Sequence, residues 1–188
     1  MTFQGLIFDC DGTLVDSMPP HYEAWKSVSQ KYSLNFTEQE FYDWGGWPTI
    51  KVARHLIERA GLSLDPHAIG EEKEQGFVDR LETVVPIPEV VSVVKQWHGK
   101  VPMAVATGGT EEICHPMLKT HGLFDYFETI VTVEQVEHPK LAPDTYLEAA
   151  KRIGIAPEQC CAYEDTDPGV ESARSAGMTV VDVRTLRC

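Results

Sequence analysis

The chain has 188 residues, 43% of them hydrophobic, which is enough for one α/β domain of ordinary size plus a small accessory domain. A formal net charge of −13, with no basic run, argues against a nucleic-acid partner, so an anionic ligand would have to be attracted locally. Five cysteines without metal-ligand spacing, no basic-then-apolar leader and no membrane-length apolar run predict free thiols, a cytoplasmic location and no membrane partner.

Leu6, Ile7 and Phe8 show no polar alternation and predict a strand covered on both faces, as in parallel sheets. Asp9-Cys10-Asp11-Gly12-Thr13 follows at its carboxyl end, where open α/β sheets bind ligands. Two acids this close repel unless a cation or a shared proton intervenes, and a divalent metal answers that need. A plain acidic turn fits the motif equally well. A calcium loop does not, because Gly12 stands at position 4 where that loop has glycine at 6.

From Asp16 to about Val84 the pattern becomes helical and charged. Trp25, Val28 and Tyr32 form one stripe, Val52, Leu56 and Ala60 another that Gly61 ends, and a third helix is predicted from about Pro66 to Leu81. Then come a helix around Val90–Trp97, a strand Val101–Ala106 and a turn Thr107-Gly108-Gly109, whose hydroxyl and unhindered amides suit a phosphate, and a helix from Thr110. A strand Thr129–Val133 leads to Lys140, set between prolines, and to a helix Asp144–Ile153. Cys160–Tyr163 predicts another buried strand, ending in Glu164-Asp165-Thr166-Asp167, before a helix Gly169–Ala176 and a strand Thr179–Val183. Strands alternating with helices indicate an α/β fold of parallel βαβ units.

Asp-x-Asp-Gly-Thr, then Thr-Gly, then Lys, then Glu-Asp, each after an apolar strand, resembles the haloacid dehalogenase-like hydrolase superfamily over nearly the whole chain. The resemblance implies a Rossmann-like parallel sheet core, residues 1–15 and 85–188, with a small helical cap, residues 16–84, inserted after the first strand. By matching position it makes Asp9 the nucleophile and Asp11 the acid/base. Thr107, Gly108 and Lys140 would hold phosphate. Mg²⁺ would lie between the Asp9 carboxylate, the Asp11 backbone carbonyl and Asp165, with Glu164 as a further metal-site residue and Asp167 a more distant candidate. The chemistry needs these residue types: a phosphate dianion repels a carboxylate nucleophile, so cations must spread its charge. Asp11 must carry a proton to protonate a leaving oxygen, although a free Asp titrates near about 3.9.

Within the superfamily the chain is similar to the β-phosphoglucomutase-like branch, which assigns cap and substrate roles to His21, Trp25 and Lys73. The residues alone also fit a surface histidine, a core tryptophan and a solvated lysine. Two departures stand out. Leu141 occupies the place of the proline usual after the motif lysine, and Gly45-Gly46-Trp47-Pro48-Thr49 has no arginine to clamp a second phosphate. With Gly-Trp-Pro-Thr and Val181-Asp182-Val183-Arg184, the chain looks most like small bacterial sugar phosphatases acting on fructose 1-phosphate and similar monoesters. The expectation is hydrolysis of a small sugar phosphate by a monomer or weak dimer. A phosphomutase is the enzymatic alternative. A receiver-like phosphoacceptor domain is the non-enzymatic one, although receivers have no helical insertion after strand one.

Overall fold

A computed structural model of the protein describes residues 3–45 and 47–186; Gly46, in the turn noted above for its missing arginine, lies outside the described residues. β1 (Gly5–Phe8) is buried along its whole length because it is the middle strand of a five-stranded sheet. The order is β5-β4-β1-β6-β7, every neighbouring pair parallel, with β4 at Met103–Ala106, β5 at Thr129–Val131, β6 at Cys160–Glu164 and β7 at Thr179–Asp182. Ile7 stands opposite Ala104 on one side and Ala162 on the other. The chain leaves β1 for β4 on one flank and reaches β6 on the other, so the strand order reverses at the end of β1. A crevice opens at such a switch point.

The sheet is packed by α5 (Pro88–Trp97), α6 (Glu111–Thr120), α7 (Asp144–Arg152) and α8 (Asp167–Ser175). Ile7, Ala104, Val131, Tyr146, Ala149, Ala162 and Ala173 share one buried cluster, where small residues on strand and helix let the layers approach. The first-strand insertion leaves and re-enters through a two-residue antiparallel ribbon, β2 (Val15–Asp16) with β3 (Val85–Pro86), in which Asp16 faces Val85. The chain divides there into two compact units, residues 1–16 with 85–188, and residues 17–84.

The inserted unit is helical: α1 (Met18–Tyr32), α2 (Glu38–Asp43), α3 (Thr49–Ala60) and α4 (Pro66–Val78). Trp25, Val28, Leu34, Phe41, Leu56 and Ile69 bury one another there. α2, absent from the sequence expectation, begins with a capping box: Thr37 accepts from the Glu40 amide and Glu40 accepts from the Thr37 amide.

Several predicted boundaries shift, among them β5, which ends at Val131 rather than Val133, and α8, which begins at Asp167 rather than Gly169. The β4 strand starts at Met103 rather than Val101, since Pro102 has no N–H for a ladder. The third cap helix stops at Val78 and gives way to a tighter turn over Leu81–Thr83 instead of running to Leu81. The fold class is the expected one, an α/β protein with a parallel sheet and a helical insertion after its first strand. Cys10, Cys114, Cys160 and Cys161 are buried free thiols, as expected. Among the described residues no helix is long and apolar enough to cross a membrane.

Candidate active site

Asp9 follows β1 and donates its N–H to the Tyr163 carbonyl of β6 at 3.0 Å, so the sheet ladder itself sets its position. The chain then curls: the Cys10 carbonyl accepts from the Leu14 amide at 2.9 Å and the Val15 amide at 3.2 Å. Gly12 sits in this curl at φ +78°, and a Cβ there would lie 2.1 Å from Asp165 Oδ2. Only glycine accepts both the backbone angle and the carboxylate packed against it. Thr13 Oγ1 donates to the other oxygen, Asp165 Oδ1, at 3.1 Å, so the turn after β1 orients the acid at the end of β6.

Lys140 comes from the loop before α7 and is largely buried. Its ammonium donates to Asp9 Oδ1 at 2.5 Å and Glu164 Oε1 at 2.7 Å. Glu164 Oε2 accepts from the amides of Asp165 at 2.8 Å and Thr166 at 2.9 Å, and from Thr166 Oγ1 at 3.1 Å. Both oxygens of this buried carboxylate are therefore well supplied with donors. Desolvation alone would raise its pKa, but the Lys140 charge and these hydrogen bonds outweigh burial and hold it below the usual carboxylate range.

Asp9 goes the other way. Burial pushes its pKa up, and the nearby charges of Glu164 and Asp165 add to this, while Lys140 opposes it. Lys140 is kept a cation by Asp9 and Glu164 although burial works against its charge.

One carboxylate oxygen each from Asp9, Glu164 and Asp165 lie within 4.8 Å of one another. Three acids around one ammonium leave an excess of negative charge in a poorly solvated place. An all-oxygen set of this kind fits a hard divalent cation.

On the β4 side, Thr107 is buried and its Oγ1 accepts from the Gly109 amide at 3.0 Å, which closes the turn. A Cβ placed on Gly109 would lie 3.4 Å from Thr107 Oγ1 and 3.5 Å from Asp11 Oδ2, so the Asp11 carboxylate comes down beside this turn. Gly108 faces open space. The four motifs that are far apart in sequence thus meet beyond the carboxyl ends of the sheet's strands. Asp167 points elsewhere: it is exposed and pairs with Arg184 at 2.7 Å.

The three cap candidates lie in the inserted unit and gather on α1 and α4. Lys73 is buried, with its ammonium 2.8 Å from His21 Nδ1 and 3.2 Å from Glu74 Oε2. An ammonium cannot accept, so His21 Nδ1 is the acceptor of this hydrogen bond. The His21 ring stacks on Phe77 with centroids 3.6 Å apart. Trp25 is buried and packs edge-on against Phe36, 5.6 Å between centroids. Thr49 donates to Glu74 Oε1 at 2.6 Å, which ties the turn residue to the counter-ion of Lys73.

Three contributors were not anticipated from the sequence: Thr13 as a partner of Asp165, Tyr146 beneath Lys140, and Gly169. A Cβ on Gly169 would lie 1.7 Å from Glu164 Oε1. Glycine in a strand-to-helix turn that carries acids is a readable signal of close approach, whereas Tyr146 in an amphipathic helix looks like any core aromatic.

A family profile for haloacid dehalogenase-like hydrolases matches residues 3–177. The fructose-1-phosphate phosphatase YqaB of Escherichia coli (strain K12) is 44% identical over 185 residues, 98% of each chain. A phosphorylated carbohydrates phosphatase of Thermotoga maritima is 30% identical over 179 residues, 93% of this chain and 82% of its own. The crystal structure of β-phosphoglucomutase from Clostridium difficile superposes with a TM-score of 0.84 at 20% identity, over 98% of this chain and 87% of that one, which shows the shared fold. A profile that runs through all four strand-end motifs, together with a relative of this identity over almost every residue, establishes that the chain belongs to the haloacid dehalogenase-like hydrolase family.

Proposed function

We propose that this hydrolase is a Mg²⁺-dependent phosphatase of small sugar phosphate monoesters resembling fructose 1-phosphate, acting through a phosphorylated Asp9. The observation that carries the reading is the buried junction of Lys140 with Asp9 and Glu164, beside Asp165. Asp9 attacks phosphorus as the ester oxygen leaves, and a protonated Asp11 supplies that oxygen with its proton. Water then attacks the phosphoryl group on Asp9, with Asp11 now taking the proton. Lys140, the Thr107 hydroxyl and the amides around Gly108 hold the phosphate oxygens. Asp9, Asp165 and the Asp11 carbonyl would hold the cation; Glu164 shares that acidic cluster and also holds Lys140. When bound, the cation neutralises charge on the phosphoryl oxygens and keeps Asp9 ionised despite its burial.

The cap turn supports hydrolysis over phosphoryl return. A mutase has to hold a second phosphate, and here the Thr49 hydroxyl is already engaged by a carboxylate, while Glu74 offsets the charge of Lys73. A second dianion at this cluster would meet Glu74 without an arginine fork. The test is phosphate release from a panel of sugar phosphates with and without Mg²⁺, including β-glucose 1-phosphate with a bisphosphate primer. Phosphate release should dominate; primer-dependent isomerisation faster than phosphate release would assign the chain to the mutases.

A further inference from the structure

Tyr146 is fully buried in α7, among the small residues of the sheet core. Its hydroxyl donates to Glu164 Oε1 at 3.3 Å, the oxygen that also accepts from Lys140. Its ring lies 5.0 Å, centroid to ammonium, from the same Lys140, within the range of a cation–π contact. One side chain therefore supports both members of an ion pair, the cation through its face and the anion through its hydroxyl.

A phenyl ring would fill this slot equally well, and a phenol buried among apolar neighbours is costly unless its hydroxyl is paired. The partner it finds is Glu164, which is not free to turn away, since Asp165 and Thr166 hold its other oxygen. Lys140 has three N–H donors, and two are used by Asp9 and Glu164. The direction of the third depends on where those two acceptors stand.

We infer that Tyr146 is a positioning residue for phosphate capture, fixing Glu164 Oε1 and thereby aiming the third N–H of Lys140 at a phosphate oxygen. The role rests on the phosphatase reading, but its test does not require turnover. Binding of inorganic phosphate is measured by titration calorimetry in saturating Mg²⁺, with kcat and KM for a hydrolysed sugar phosphate measured alongside.

Tyr146→Phe keeps the ring and should fold with nearly unchanged thermal stability. It should weaken phosphate binding by roughly three- to tenfold, in line with loss of one ordinary, long hydrogen bond, and lower kcat by a similar factor. In a Lys140→Met background the same change should have no further effect on phosphate binding. Tyr146→Phe with wild-type phosphate affinity, or with a full effect in the Lys140→Met background, overturns the positioning role. Wild-type protein that binds phosphate yet releases none from any sugar phosphate overturns the phosphatase reading alone; wild-type protein that does not bind phosphate overturns both.

Discussion

Gly169→Ala makes the sharpest demand on the site, because one methyl group should disconnect Lys140 from its anchor. The added Cβ would lie 1.7 Å from Glu164 Oε1, 2.0 Å from Cδ and 2.4 Å from Oε2, whereas carbon and oxygen rest at about 3.3 Å or more. The backbone need not move, since the obstacle is the end of a side chain. The carboxylate must move by more than an ångström, and it leaves behind Lys140 and the Asp165 and Thr166 amides. Breaking a buried pair of this kind costs about 3–5 kcal/mol, and for a chain of this length each kcal/mol lowers Tm by about 2–4 °C. The expected fall is therefore roughly 6–20 °C in thermal unfolding, with turnover down by at least about tenfold as Lys140 loses its aim. A double-mutant cycle isolates the cause. In a Glu164→Ala background the three nearest obstacles are gone, so Gly169→Ala should add little. Additive losses, or a Gly169→Ala protein with wild-type Tm and turnover, would refute the argument.

Asp9→Asn should keep the fold and abolish phosphate release; substantial turnover, with deamidation excluded by mass measurement, removes Asp9 as nucleophile. Asp11→Asn should lose about 10²–10⁴-fold with sugar phosphates and far less with an activated aryl phosphate, and equal losses in the step that forms phosphorylated Asp9 would disprove the leaving-group role. Chelation should stop turnover reversibly, and because the metal-free protein holds a proton on Asp9 above the usual carboxylate range, apparent Mg²⁺ affinity should rise with pH across the raised titration; a flat profile in calorimetry contradicts this. In the inserted unit, the Arg59 hydrogen bond, with help from Thr37, lowers the Glu40 pKa to about 2 from 4.5. That support is complete above the unfolded pKa and disappears as pH falls from about 4.5 towards 2. Glu40→Gln should thus be less stable near neutrality and less sensitive to acid than the wild type, as Tm against pH will report.

The parts of the site that were legible in the sequence are those where chemistry and strand ends coincide. Apolar runs such as Leu6–Phe8 and Cys160–Ala162 announce buried parallel strands, and acids, a threonine or a lysine after them announce the crevice. Side-chain destinations were less visible. Lys73, in a charged helix, reads as solvated, yet it is buried against His21 and Glu74. Glu164 reads as one more acid, and its ties to Lys140 and the start of α8 emerge only when Gly169 brings that helix against it. The short α2 has too few residues for a periodic stripe, so its one signal is the Thr37 and Glu40 spacing. Tyr146 is the extreme case, since helical periodicity records that an aromatic faces inward and is silent about what its hydroxyl meets.

The ribbon of β2 and β3 gives the chain a natural splice point. Asp16 and Val85 are paired residues of adjacent antiparallel strands, which places their Cα atoms about 4.5–5.5 Å apart. Everything from Ser17 to Val84 therefore departs from and returns to nearly the same place. Joining the two strands by a two-residue Asn-Gly turn would close the gap without pulling on β1 or α5. On that geometry the junction could carry a helical insertion of another length or composition while Asp9, Lys140 and Asp165 keep their framework.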